Sequence, residues 1–144
     1  SGEKSAIGFP KENTVRTYLL LPDGKFDRSS FVILKENNNY PPGRFGEKVA
    51  LSESGMTLAA ASPGAMRDSI DFGAVFIFVW IDKNWQKTEG VFYGTDDLRR
   101  IGGGGIAIDD HIGLINVREN NGRHRAFKFE VPCDDPYAIA SGIE

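Results

Sequence analysis

Apolar residues in this chain come in short runs separated by turn-forming residues, and the runs read as strands. Ala6 to Phe9 is the first, ending at Pro10. Thr17 to Leu21 follows, closed by Pro22-Asp23-Gly24, and then Phe31 to Leu34. Asn37, Asn38 and Asn39 with Pro41, Pro42 and Gly43 form a loop. Phe45 to Ser52 alternates toward Val49 and Leu51, and Ser54-Gly55 turns the chain into Leu58 to Ser62, which stops at Pro63-Gly64. Gly73 to Ile81 is β-branched and aromatic throughout, the pattern of a buried strand. Asp82 to Asn84 turns it into Trp85 to Tyr93. Beyond Asp96-Asp97 and the glycines 102–105 lie Ile106 to Ile108, Gly113 to Val117 and Arg125 to Val131, the last two joined by an Asn121-Gly122 hairpin signal. Only the tail offers a helix start, with Asp135 as cap and Pro136 in the first turn.

The strands repeat. Val49-Ala50-Leu51 and Ile106-Ala107-Ile108 lie 57 positions apart, each after glycine and before a polar turn. Val75-Phe76-Ile77-Phe78 and Ala126-Phe127-Lys128-Phe129 both carry aromatics at alternate positions, so each aims an aromatic pair at one sheet face. Gly8-Phe9-Pro10 matches the place of Ala61-Ser62-Pro63, Tyr18 to Leu21 that of Phe76 to Val79, and Phe31 to Leu34 that of Val91 to Gly94. The chain reads as one all-β domain over 1–144: a partial unit (6–34), a full unit (44–94), a third unit (101–131) and a tail (132–144).

Arg44-Phe45-Gly46, Val49-Ala50-Leu51-Ser52, Gly55, Thr57 to Pro63, Gly73 to Phe78 and Trp85 together resemble an FG-GAP repeat, the blade repeat of integrin-α-type β-propellers. The likeness covers residues 44–93, and the third unit departs from it with Gly102-Gly103 where Phe-Gly is expected. It implies four-stranded antiparallel blades, with the Phe45 to Ser52 strand nearest a central channel, and binding of proteins or glycans through loops on one face. Many such repeats hold calcium on alternating aspartates. Here the corresponding loop, Gly64 to Phe72, has only Asp68 and Asp71, so no metal is carried over.

About two and a half blades cannot close a ring that takes four to eight. The expectation is an incomplete propeller, with first and last sheets that expose apolar faces and unpaired edges, completed by copies of itself or by other subunits. The contact loops expected are Arg67, Asp68 and Asp71 in one and Asp97, Arg99 and Arg100 in the other. The alternative is a lectin with sites between blades, stacking sugars on Tyr40, Trp85 or Tyr93, with Trp80 a further aromatic of the same kind.

Composition narrows the chemistry. Basic and acidic residues number 17 and 20 and are interspersed, which disfavours a nucleic-acid partner. No apolar run is long enough for a membrane span. Cys133 is the sole cysteine, so an internal disulfide is excluded. Gly102 to Gly105 with Ala107 fits a dinucleotide fingerprint in letters only, because a strand follows instead of a helix. His111 and His124, with Asp109 and Asp110, lack ligand spacing. No Gly-x-Ser-x-Gly elbow is present, and Ser52 and Ser54 read as turn residues. Neither an enzyme nor a cofactor is expected. The family likeness and a chain that starts at Ser1 favour an exported or organelle-lumen setting.

Overall fold

A computed structural model describes residues 3–36, 43–66, 72–95, 100–119 and 122–130. They form ten strands and, among the described residues, no helix: β1 (Lys4–Phe9), β2 (Thr14–Leu20), β3 (Phe26–Lys35), β4 (Lys48–Leu51), β5 (Thr57–Ser62), β6 (Ala74–Ile81), β7 (Asn84–Tyr93), β8 (Gly105–Asp109), β9 (Leu114–Arg118) and β10 (His124–Lys128). Each sheet is an antiparallel meander: β1-β2-β3, then β4-β5-β6-β7, then β8-β9-β10. The chain is all-β, as expected. Of the three sheets only the middle one, over the unit expected to be full, has four described strands; the other two have three each. The tail beyond residue 130, with its expected helix start, lies outside the described residues.

The middle sheet is covered on both faces, which is why Gly73 to Ile81 has no polar position until its end. On β6, Ala74, Phe76 and Phe78 join Leu58, Ala60, Phe45, Val15 and Leu34 in one buried cluster against the first sheet. The alternate residues Val75 and Ile77 join Ala59, Ala61, Ile101, Ile115 and Val117 in a second cluster against the third sheet. Trp85 is buried and its Nε1 donates to Thr17 Oγ1 at 3.0 Å, tying β7 to β2 across the first cluster.

A structural repeat marks each junction between sheets. Arg44 (φ 65°), buried Phe45 and Gly46 (φ 91°) precede β4, and Arg100 (φ 55°), buried Ile101 and Gly102 (φ 87°) precede β8. In both, the first residue's carbonyl accepts a hydrogen bond three residues on: Glu47 N to Arg44 O at 3.1 Å, Gly103 N to Arg100 O at 3.3 Å. A Cβ on Gly46 would lie 2.6 Å from Thr14 O, and one on Gly102 would lie 2.5 Å from Ala61 Cβ, each an atom of the preceding sheet. Ile101-Gly102 therefore holds the place in the third unit that was expected for Gly102-Gly103. The Phe45 to Gly46 stretch is this turn rather than strand, so β4 is shorter than the sequence pattern implied.

β1 lies against β4, and β4 against β8. These three are the corresponding first strands of their sheets. This corrects the alignment of Gly8-Phe9-Pro10 with Ala61-Ser62-Pro63: the first sheet has its first strand, and it is the counterpart of β7 that is not seen among the described residues. The β1–β2 and β8–β9 turns agree with this pairing. Both span four residues and end on a left-handed position, Asn13 (φ 53°) and Gly113 (φ 64°).

Candidate interaction surface

The two outermost faces of the stack differ in chemistry. On the first sheet the residues turned away from the core are in register across the strands: Ile7 opposite Arg16 opposite Ile33, with Tyr18 beside them. Tyr18 stacks on Phe26 (centroids 5.0 Å apart) and touches Phe31 (5.3 Å). The Arg16 guanidinium lies over Phe9 at 4.1 Å and is neutralised by Glu12 at 2.7 Å. Ile7, Phe26, Phe31 and Ile33 are 36%, 47%, 40% and 44% exposed, a contiguous aromatic and aliphatic surface open to water.

The outer face of the third sheet is built the other way. Ala107 opposite Asn116 opposite Ala126, Arg118 opposite His124, and Asp109 and Lys128 flanking Leu114 make it mainly polar, with no aromatic residue. Ile106, Ile108, Ile115, Val117 and Phe127 turn inward, leaving half-buried Leu114 as the large apolar residue of the outer face, and Phe127 stacks on Phe92 at 4.5 Å. The expectation of apolar faces at both ends is thus corrected: among the described residues only the first sheet has one. In β10 His124, Ala126 and Lys128 face out and Phe127 in, whereas Phe31-Val32-Ile33-Leu34 is apolar on both sides.

Where the first and middle sheets diverge, an open cleft of about 520 Å³ remains. Leu19, Phe31, Val32 and Trp80 wall it, Lys4 and Lys83 stand at it, and Ser29 and Ser30 also line it. Lys4 Nζ lies 4.9 Å from the centre of the Trp80 ring, and burial lowers the pKa of this ammonium from its ordinary value. Among the described residues neither lysine has a carboxylate partner. Both serine hydroxyls donate within the chain, Ser29 to Asp27 Oδ1 and Ser30 to the Asp27 carbonyl, each at 2.6 Å. Ser30 also accepts from Leu19 N at 2.7 Å.

A second polar group joins the middle and third sheets. The Ser54 hydroxyl donates to Asp110 Oδ2, and Ser52 and Ser54 hydroxyls lie 3.2 Å apart. Asp110 is buried, and its Oδ1 has no hydrogen-bond partner among the described residues. Burial pushes this carboxyl up, but the Ser54 and Ser52 hydroxyls, its own backbone N–H and His111 together outweigh burial and leave it below the usual carboxylate range. Ser52 and Ser54 are turn residues, as expected, with the further role of bridging two sheets. No group of three or more His, Cys, Asp or Glu able to hold a metal occurs among the described residues, and no helix among them is long and apolar enough to cross a membrane.

Of the residues singled out in the sequence, Tyr40, Arg67, Asp68, Asp71, Asp97 and Arg99 lie outside the described residues. Arg100 is exposed in the junction turn. Trp85 is 6% exposed, its indole N–H already used, so it offers no ring to a sugar; Trp80, edge-on to it at 5.2 Å, is the indole that reaches the cleft. Tyr93 is half-buried against the first core cluster. Lys4 and Lys83 are not distinguished by anything local in the sequence; only the stacking of sheets brings them to one cleft. Comparison with models of known families, with curated proteins and with solved structures finds no match for this chain.

Proposed function

We propose that the chain is a run of propeller-type blades of the FG-GAP kind that serves as a protein-binding or structural subunit, with no chemistry of its own, and that its partner covers the outer face of β1–β3. The observation that carries this reading is the exposed cluster of Ile7, Phe26, Phe31 and Ile33 around Tyr18, at one end of a stack whose other end is polar. A sheet buries apolar surface by stacking on a neighbour, and terminal units of repeat folds carry a polar outer face when they end the stack. The third sheet has such a face; the first has not. The blade reading itself is supported by the three stacked meanders, by first strands lying side by side, and by the Arg-x-Gly junction that recurs before β4 and β8. The loops that hold Arg67, Asp68, Asp71, Asp97, Arg99 and Arg100 remain its second proposed contact region.

Sedimentation velocity tests this on the isolated chain. With no other partner present, the open face is expected to pair with a second copy at micromolar concentration. Phe31→Glu combined with Ile33→Lys is expected to yield monomers with an unchanged β-type circular dichroism spectrum. A wild-type chain that stays monomeric across that range sinks the reading.

A further inference from the structure

The cleft between the first and middle sheets holds a set of groups the fold does not use. Its volume of about 520 Å³ lies within the roughly 300–1,000 Å³ of small-molecule sites. Its walls are mostly apolar, supplied by Leu19, Phe31, Val32 and the Trp80 indole. Two lysines from different sheets line it, Lys4 at the start of β1 and Lys83 in the β6–β7 turn. Neither has a carboxylate partner among the described residues. Lys4 rests instead over the face of Trp80, where the ring's negative face is its substitute for a counter-ion.

We propose that this cleft binds an anionic sugar: a pyranose ring that carries a carboxylate or a sulfate. The acid group meets Lys4 and Lys83. As Lys4 turns to the anion it leaves the Trp80 ring, which then takes the apolar C–H face of the sugar. Ser29 Oγ, whose own proton is held by Asp27, keeps lone pairs to accept from a sugar hydroxyl. The openness of the cleft selects against a fatty acid, whose tail needs a closed apolar channel, and suits a ring with one apolar face and a wet rim. Partial burial of Lys4, which disfavours its charge in the empty cleft, is relieved by a bound anion. Phe31 lines both this cleft and the proposed protein-binding face, but Lys4, Lys83 and Trp80 belong to the cleft alone, so sugar binding is tested apart from pairing of the chain.

The test is a titration of the labelled chain followed by amide and indole NMR, with glucuronate, glucose 6-sulfate, glucose and hexanoate as separate arms at millimolar concentration. Expected are shifts at Lys4, Lys83 and the Trp80 indole with glucuronate or glucose 6-sulfate; the tighter of the two says whether carboxylate or sulfate is the natural group. Glucose is expected to bind at least about tenfold more weakly, a difference of about 1.4 kcal/mol. Lys4→Gln with Lys83→Gln, and separately Trp80→Leu, are each expected to weaken the better acidic sugar by at least about tenfold while the remaining spectrum stays dispersed. Binding of glucose or hexanoate as tight as that of the acidic sugars overturns the proposal, as does a double variant that binds unchanged, or the failure of both acidic sugars to move these resonances.

Discussion

Gly46 and Gly102 sit at φ near +90°, and each has the preceding sheet where a side chain would stand. Gly24 is a useful contrast: its φ is +80°, but nothing lies within 4 Å of its missing Cβ. Gly24→Ala is expected to cost only the left-handed backbone strain, about 1 kcal/mol. Gly46→Ala adds a collision with the Thr14 carbonyl and is expected to cost about 3 kcal/mol or more. Urea denaturation of the two variants checks this; equal losses would mean that the sheet-to-sheet approach at Gly46 contributes nothing. The sequence showed Arg44-Phe45-Gly46 plainly. It hid the equivalent Arg100-Ile101-Gly102, because four consecutive glycines allow several registers and isoleucine replaces the aromatic. Side-chain volume at that position, not aromaticity, is what the buried site requires, and φ then fixes which glycine follows it.

Among the elements, the strands buried on both faces were the easiest to read, since Gly73 to Ile81 admits no polar residue on either side. Strand ends were harder: β3 extends back to Phe26 through the polar Asp27 to Ser30, where the Ser30 hydroxyl bridges Leu19 N and Asp27 O across a register shift in its pairing with β2. The contact between the β4–β5 and β8–β9 turns was not legible, because Ser54 and Asp110 are 56 positions apart and each is an ordinary turn residue by itself. Asp110→Asn is expected to destabilise the fold by about 1 kcal/mol at neutral pH, through a weakened charge-assisted hydrogen bond to Ser54. Because the folded protein holds this carboxyl below its ordinary value of 3.8, the native state takes up its proton less readily than the unfolded chain. The carboxylate's contribution is full above that ordinary value and is lost as pH falls through the lower folded one. The stability gap between wild type and Asp110→Asn should close over that acid window; a gap that is constant with pH would show that the charge is not what ties the turns.

For the whole molecule, the number and order of sheets followed from counting strands, but which end of the stack is open did not. That depends on which alternate residues face a neighbour, and β1 to β3 are apolar enough on both sides that pattern alone assigns neither. Burial is also unequal across the stack. Every residue of β5 and the first six of β6 are buried, whereas each of the other two sheets has one face in water. Hydrogen exchange in the native state should therefore be slowest at β5 and β6, with β10 opening well before global unfolding. Amides of β10 as protected as those of β6 would contradict this ordering.

The polar outer side of β8–β10 has one more effect. Among the described residues, head-to-tail addition would lay the aromatic rings of the first sheet, the greasy pole, on Arg118, His124 and Lys128, which disfavours it. Self-contact through the greasy pole uses up both sticky surfaces at once. Association through this face alone is expected to stop at closed pairs.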